Sequence, residues 1–187
     1  MLDFHFENST RFWYLHFSKT IQMKLLRTDS TNTDFIELVK LLDADLAIRD
    51  GDDHPFYDQF NKIDSIKYAV IAYDENKRAV GCGAIKEFEN GTMEVKRMFV
   101  PLEERGKGIA KEILLELETW ARELGNKKCI LETGIKQPEA ISLYKKNGYR
   151  FIDNYGQYAG VENSVCFEKI LSNRKVMPFK STGLAAD

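Results

Sequence analysis

The sequence predicts an α+β domain built on one central mixed, mostly antiparallel β-sheet flanked by helices, and three observations carry that prediction. Residues 92–100 form a run of β-branched and aromatic residues that Pro101 stops. A Gly-rich turn follows and opens directly into a helix: Ile113, Leu114, Leu117, Trp120, Ala121 and Leu124 share one face, and Gly125 stands where helices commonly end. Upstream, 67–73 and 79–88 read as two strands, and Asn90-Gly91 is a hairpin turn signal before the central strand. Downstream, strand and helix patterns alternate once more before two closing strands.

Taken in order, residues 1–22 are rich in aromatics (Phe4, Phe6, Phe12, Trp13, Tyr14, Phe17) without a clear period. They read as an N-terminal extension packing its aromatics on the domain or, since Met23 directly precedes the first strand at 24–27, as a translation-start artefact. A native peptide from before Met23 would refute the latter. Residues 29–34 supply helix caps, and Phe35, Leu38, Val39, Leu42 and Leu46 repeat at helical spacing. A polar, acidic loop (49–55) and a short second helix (56–61) come next. After the long helix, 127–133 is a strand centred on Cys129, Ile130 and Leu131. Pro138 suits the first turn of a helix that carries Ala140, Ile141, Leu143 and Tyr144 and ends at Gly148. Residues 149–152 and 164–171 are the final strands, and 172–187 read as a loosely held tail to a domain of 23–171. The order is therefore β-α-α-β-β-β-α-β-α-β-β.

Composition narrows the function. A chain of 187 residues with 43% hydrophobic and 30% charged residues is long enough for one domain with a real core. A net charge of -2 gives no reason to expect nucleic acid or an anionic membrane as partner. Cys82, Cys129 and Cys166 are too widely spaced for a zinc site, His5, His16 and His54 form no ligand pair, and no metal is expected. Two of the cysteines fall in apolar strand patterns, which suits buried, reduced thiols and a cytoplasmic protein. No apolar run approaches membrane-spanning length, and the stretch 12–17, interrupted by His16, is too short for a secretory signal.

The chemistry concentrates in the turn before the long helix, at Arg105, Gly106, Lys107, Gly108, Ile109 and Ala110. Small residues let backbone N–H groups approach a ligand, and the positive end of the helix dipole favours an anion such as a pyrophosphate. A nucleotide P-loop would need Ser or Thr after Lys107, where Gly108 stands, and the three-glycine dinucleotide fingerprint is absent. What remains is Arg-x-x-Gly-x-Ala at Arg105, Gly108 and Ala110. It resembles the acyl-CoA-binding signature of the GNAT superfamily of N-acetyltransferases. Three blocks carry the resemblance in the family's order: GTMEVKRMFVPLEERGKGIA, KKCILETG and QPEAISLYKKNGYRFI.

The resemblance implies the GNAT fold, acetyl-CoA as acyl donor and direct transfer to an amine in a ternary complex. In the family the central strand splits from its neighbour and the pantetheine arm enters the gap. Met98, Phe99 and Val100 would then offer it their backbone, and residues 105–110 would hold the pyrophosphate. Lys107, Lys111, Lys145 and Lys146 could meet the nucleotide 3′-phosphate or form a solvated basic face, and Glu103 and Glu104 should point away from the anion. Gln137 stands where the family often has Asn against the pantetheine. Tyr144 matches the family's acid, which protonates the CoA thiolate; its other reading is a half-buried helix tyrosine. Glu94 is the candidate base for the acceptor ammonium, or a strand glutamate paired with Lys96 or Arg97. Strand alternation would set Glu94, Lys96 and Met98 on one face. In the loops that select the acceptor, Asp50, Asp52, Asp53, His54 and Tyr57, then Asp153, Tyr155, Tyr158 and Glu162, would suit a small cationic amine. A protein or peptide acceptor and a non-catalytic acyl-CoA sensor are the alternatives, and dimers are common in the family.

Overall fold

The computed structural model describes residues 23–172, so the expectations for the N-terminal extension and for the tail beyond 172 lie outside the described residues. A seven-stranded sheet runs through the molecule in the order β1-β2-β3-β4-β5-β7-β6. Its strands are β1 (Lys24–Thr28), β2 (Tyr68–Tyr73), β3 (Ala79–Glu89), β4 (Thr92–Phe99), β5 (Lys128–Gly134), β6 (Arg150–Ile152) and β7 (Ser164–Ile170). The helices are α1 (Thr33–Asp50), α2 (His54–Asp58), α3 (Ile109–Glu123) and α4 (Pro138–Lys146). The predicted element order and the mixed, mostly antiparallel sheet are both borne out: β4 and β5 form a parallel pair, and the other neighbours run antiparallel.

Each face of the sheet buries its own layer. On one face α3 lays Ile109, Ile113, Leu114, Leu117 and Ala121 against Val70, Ile85, Met93, Val95 and Leu131. On the other, α1 lays Phe35, Leu38, Val39 and Leu42 against Ala69, Ile71, Cys82 and Phe99. Asn32 caps α1 by accepting from the backbone N–H groups of Asp34 and Phe35 at 2.9 and 3.2 Å. Two local expectations change. The acidic stretch after Ile48 is helical: α1 continues to Asp50, a 3₁₀ turn spans Gly51–Asp53, and α2 starts at His54, with Pro55 in its first turn. Leu124, expected on the buried face of α3, is 40% exposed at the helix end.

The largest departure is in β4. Arg97 has φ 58°, a left-handed conformation that few side chains adopt, and the β3–β4 register slips between Cys82/Ala84. This bulge inserts a residue and moves Met98 to the α3 face, where its Sδ would lie 2.5 Å from a Cβ on Gly83. Glu94, Lys96 and Met98 therefore do not share a face, because alternation restarts after Arg97. The Arg97 side chain is buried toward α1, and its Nη2 donates to Asp43 at 2.5 Å.

Gly83 is the close approach that lets α3 settle over the bulge, since an added Cβ would meet Met98, Ile113 and Leu117 at 3.0 Å or less. Gly83→Ala should lower stability by about 1–3 kcal/mol, the ordinary cost of overpacking. Thermal melts of the variant check this, and an unchanged melting temperature would show that Met98 yields without cost.

Candidate active site

The site starts where β4 and β5 part. Their ladder holds only at Thr92↔Lys128, Met93↔Cys129 and Glu94↔Ile130. Beyond it β4 runs on to Phe99 and β5 to Gly134 without pairing each other. A cleft of about 360 Å³ occupies the opening. Its walls are β4 from Glu94 to Val100, the end of β5, the turn before α3, and α4. Backbone N–H and C=O groups along a strand edge want partners, so an extended polar chain can pair with it here.

At one end of the cleft lies the turn before α3. Gly106 (φ 78°) and Gly108 (φ 83°) take left-handed conformations, and no protein atom lies within 4 Å of a Cβ built on either. Gly108 caps α3 without any side-chain bond, and the helix's first intrahelical bond from this turn is Glu112 N to Gly108 O at 3.2 Å. The N–H groups of Ile109, Ala110 and Lys111 thus lack intrahelical acceptors, which gives this end its anion preference. Ile109 also packs in the core, so its side chain anchors the turn.

The side chains around this turn are more engaged than expected. Arg105 donates from Nε to the Val100 carbonyl at 2.9 Å and reaches Asp45 on α1 at 3.4 Å and Glu139 on α4 at 3.6 Å. Arg49 joins the same carboxylates, Asp45 at 3.1 Å and Glu139 at 2.6 Å. Together these pairs tie α1, the turn and α4 across the cleft. The Val100 carbonyl is thus engaged by Arg105. Glu104, expected to point away, is 6% exposed and lies among the cleft-lining residues. The Lys107 ammonium at 2.7 Å and the Arg78 guanidinium hold its carboxyl below the usual carboxylate range. Lys107 is accordingly paired. Lys145 sits 4.7 Å over the Phe151 ring, and Lys111 lines the cleft.

Gln137 precedes α4 with its side chain toward the cleft, its Nε2 3.3 Å from a Cβ built on Gly134. Tyr144 also lines the cleft while its ring is buried against Tyr149 and Phe167, at centroid distances of 5.7 and 6.0 Å. Burial, reinforced by the negative charge of Glu132, pushes its hydroxyl well above the ordinary tyrosine range, so it stays protonated at neutral pH. No described residue hydrogen-bonds that hydroxyl.

The opposite end is acidic and aromatic. Glu94 is 6% exposed: Oε1 accepts from Tyr155 at 3.0 Å, and Oε2 faces the Lys96 ammonium at 3.5 Å. Lys96 also donates to Tyr158 at 3.5 Å. Across the gap on β5 stands Glu132, which sequence reasoning passed over. Its Oε1 accepts from Ser164 at 2.7 Å, and Ser164 Oγ lies 3.1 Å from the Tyr57 hydroxyl. Since the serine proton goes to the carboxylate, Tyr57 donates to Ser164. Burial pushes the Glu132 carboxyl up to about 7, with Ser164 and Lys96 opposing and Glu94 and Asp50 adding to the rise. A glutamate directly after the apolar run Cys129-Ile130-Leu131 and still within the strand was the available signal. Of the predicted acceptor residues, Asp50, Tyr57 and Tyr158 line the cleft, and Tyr155 backs Glu94. Asp52, Asp153 and Glu162 are exposed outside it, and Asp53 instead accepts from Asn163 at 2.8 Å.

The three buried cysteines sit in the core rather than in any nucleophilic array, with burial pushing Cys82 and Cys129 up to about 12. The cleft thus has an anion-preferring turn at one end, a free strand edge along it and two carboxylates, Glu94 and Glu132, at the other. Comparison with known proteins decides the family. The profile of the acetyltransferase (GNAT) family matches residues 35–149, more than half of the chain.

The chain belongs to the GNAT family. It is 42% identical over 93 residues to an IAA acetyltransferase of Azospirillum brasilense, a match covering 49% of this chain and 61% of that protein. It is 38% identical over 89 residues to the uncharacterized N-acetyltransferase YjgM of Escherichia coli K12, covering 46% of this chain and 52% of that protein. The chain thus spans between half and two thirds of the length of these curated relatives. Among solved structures, a Klebsiella pneumoniae protein assigned to the acyl-CoA N-acyltransferases superposes with a TM-score of 0.69 at 30% identity, over 81% of this chain and 99% of that one. A Thermoplasma acidophilum PaiA N-acetyltransferase in complex with coenzyme A shares the fold, with a TM-score of 0.59 at 18% identity over 80% of this chain and 99% of that one. The GNAT family expected from the three sequence blocks is borne out. Among the described residues, no helix is long and apolar enough to cross a membrane.

Glu132 makes stability depend on pH in a direction that can be worked out. Its carboxyl titrates at about 7 in the folded chain against 4.5 as the ordinary value. Between those values the folded chain holds a proton that the unfolded chain has released, so raising the pH through this window costs stability. Glu132→Gln should therefore melt progressively higher than the parent as pH rises from 4.5 to 7, with a constant gap above that window. Melting curves across the range check it, and a pH-independent difference would show that burial does not govern this carboxyl.

Proposed function

We propose that the protein moves an acetyl group from acetyl-CoA to the primary amine of a small molecule by direct transfer in a ternary complex. The observation that carries this reading is the parting of β4 and β5 between the anion-preferring turn of α3 and the carboxylates Glu94 and Glu132. In the reading, the pyrophosphate rests on the N–H groups of residues 106–110, with Arg105 holding the turn in shape. The pantetheine arm pairs with the free edge of Met98, Phe99 and Val100 and meets Gln137. The thioester then lies beside Tyr144.

The proton balance follows from the residues present. The acceptor arrives as an ammonium and gives one proton to a carboxylate of the Glu94 and Glu132 pair. Its nitrogen lone pair attacks the thioester carbonyl, the C–N bond forms and the C–S bond breaks. The departing thiolate takes the Tyr144 proton, and the second proton on the new amide nitrogen restores the tyrosine. Overall one proton reaches solvent. The acidic end of the cleft, with Asp50, Glu94 and Glu132 beside Tyr57 and Tyr158, supports a cationic amine as acceptor through charge pairing and cation–π contact.

Thiol release from acetyl-CoA against polyamines, amino acids, aminoglycosides and peptides tests the reading. Tyr144→Phe should lower kcat by about 10²–10⁴ while acetyl-CoA still binds, since the group acts only on the leaving sulfur. Turnover confined to neutral or acidic acceptors would sink the cationic-amine assignment. Gly108→Val should weaken acetyl-CoA binding in calorimetry, because a β-branched side chain at φ 83° carries strain of about 1–2 kcal/mol and crowds the anion turn. Equal affinity in that variant would overturn the placement of the pyrophosphate.

A further inference from the structure

We propose that Glu132, on β5, is the residue that takes the proton from the acceptor's ammonium group, while Glu94 holds that ammonium in place. The proposal rests on the acyl-transfer reading above and names the base within it.

The two carboxylates face the same end of the cleft with different commitments. Glu94 has both oxygens engaged, Oε1 by the Tyr155 hydroxyl at 3.0 Å and Oε2 by the Lys96 ammonium at 3.5 Å. Those partners occupy both oxygens and leave Glu94 suited to an electrostatic role toward a cation. Glu132 has one oxygen engaged, by Ser164 at 2.7 Å, and no described residue hydrogen-bonds Oε2. Its side chain lines the cleft, so that oxygen is the one available to an incoming N–H. Position favours Glu132 as well. Tyr144 must stand at the sulfur, and Glu132 lines the same cleft from β5, the strand that leads into the Tyr144 helix α4. A base and an acid on the walls of one cleft can flank a single thioester.

The surroundings complete the case. From β4, Lys96 lowers and Glu94 raises the proton affinity of Glu132, Asp50 at the end of α1 raises it, and Ser164 on β7 lowers it. Tyr57 on α2 stands behind Ser164 at 3.1 Å, and Tyr158 from the neighbouring turn also borders the cleft. Burial outweighs these contributions and brings the carboxyl to about 7, where a base can both receive a proton and release it at neutral pH. The proton leaves the ammonium nitrogen for Oε2, forming an O–H bond as the N–H bond breaks. Ser164 keeps its bond to Oε1 throughout. The carboxyl returns its proton to solvent once product has left.

The test is kcat and KM for the amine that the parent protein turns over fastest, from about pH 5 to about 9, in the parent and in Glu132→Gln, Glu132→Asp, Glu94→Gln and Ser164→Ala. In the parent, kcat/KM should rise with pH through a midpoint near 7. Glu132→Gln should lose about 10²–10⁴ in kcat and the midpoint with it, with acetyl-CoA affinity and melting behaviour showing an intact fold. Glu132→Asp, with the carboxyl withdrawn, should keep a midpoint at reduced kcat. Ser164→Ala should move the midpoint upward, because its hydroxyl favours the anion. Glu94→Gln should raise KM for the amine and move the midpoint downward without abolishing it, because the Glu94 charge raises the proton affinity of Glu132. A midpoint that survives Glu132→Gln and vanishes in Glu94→Gln would overturn the proposal and leave the acyl-transfer reading standing. A parent protein that releases thiol with no amine at all would overturn that reading and the proposal together.

Discussion

The structure depends on a ladder that stops. β4 and β5 pair through Glu94↔Ile130 and then part, although both strands continue. Strand edges left without partners inside a molecule carry unmet hydrogen-bonding groups, and such groups are costly unless something polar reaches them. The chain meets this cost by keeping the gap open to solvent and binding it at its sides. α3 covers one face, α1 covers the other, and the pairs among Arg49, Arg105, Asp45 and Glu139 clasp α1 to α4 over the opening. The parted strands and the N-terminus of α3 open on the same side because β4 leads straight through the turn at 102–108 into that helix.

The bulge at Arg97 decides what each wall of the gap presents. Before it, Met93 and Val95 face α3 while Glu94 and Lys96 face the acceptor end. After it, Met98 and Val100 face α3, and Phe99 joins the α1 core. The inserted residue thus puts Lys96 and Arg97 on the same side. Arg97 is drawn into the α1 layer by Asp43, and Lys96 is left to the cleft. A non-glycine residue held at φ 58° costs roughly 1–3 kcal/mol, which the part-buried Arg97–Asp43 pair and the packing of Phe99 help to offset. Strain of this size beside a cleft is consistent with a site shaped for a ligand rather than for stability alone.

What the sequence made legible was local in origin. The Gly-rich turn, the amphipathic period of α3 and the Asn90-Gly91 hairpin each carry their signal within a few residues, and all three stand in the structure. Gly106 and Gly108 were legible as small residues that let the backbone approach a ligand, and the structure adds that both take left-handed conformations. Arg97 gave no such sign, since an arginine in a strand run looks like any other, and the bulge arises from the fit of β4 to β3 under α3. The acidic stretch at 49–55 looked like a loop because its charges and Gly51 weaken helix propensity, yet packing of α2 through Tyr57 against Tyr158 and Cys166 keeps it ordered as helix and 3₁₀ turn. Glu104 and Lys107 sit three residues apart in a turn, a spacing that let them pair although Glu104 was expected to point away and Lys107 to meet the anion or solvent.

Glu132 was the hardest residue to see and the most informative to find. In sequence it is one charge at the end of an apolar strand. In space it shares a cleft with Glu94, and the two carboxylates differ in their surroundings alone. Glu94 is set between a hydroxyl and an ammonium, one at each oxygen. Glu132 is set against burial with a single hydroxyl at one oxygen, which lets its charge come and go near neutral pH. Binding an ammonium and removing its proton make opposite demands on a carboxylate: the first needs a charge that persists, the second a charge that can be lost. One residue cannot meet both, and a pair in unequal environments can. Lys96 serves the division of labour, since its ammonium sits at Glu94 and only moderates Glu132. Under the proposed acyl transfer, the same wall of the cleft would recognise an amine in the form in which it arrives and release it in the form that reacts.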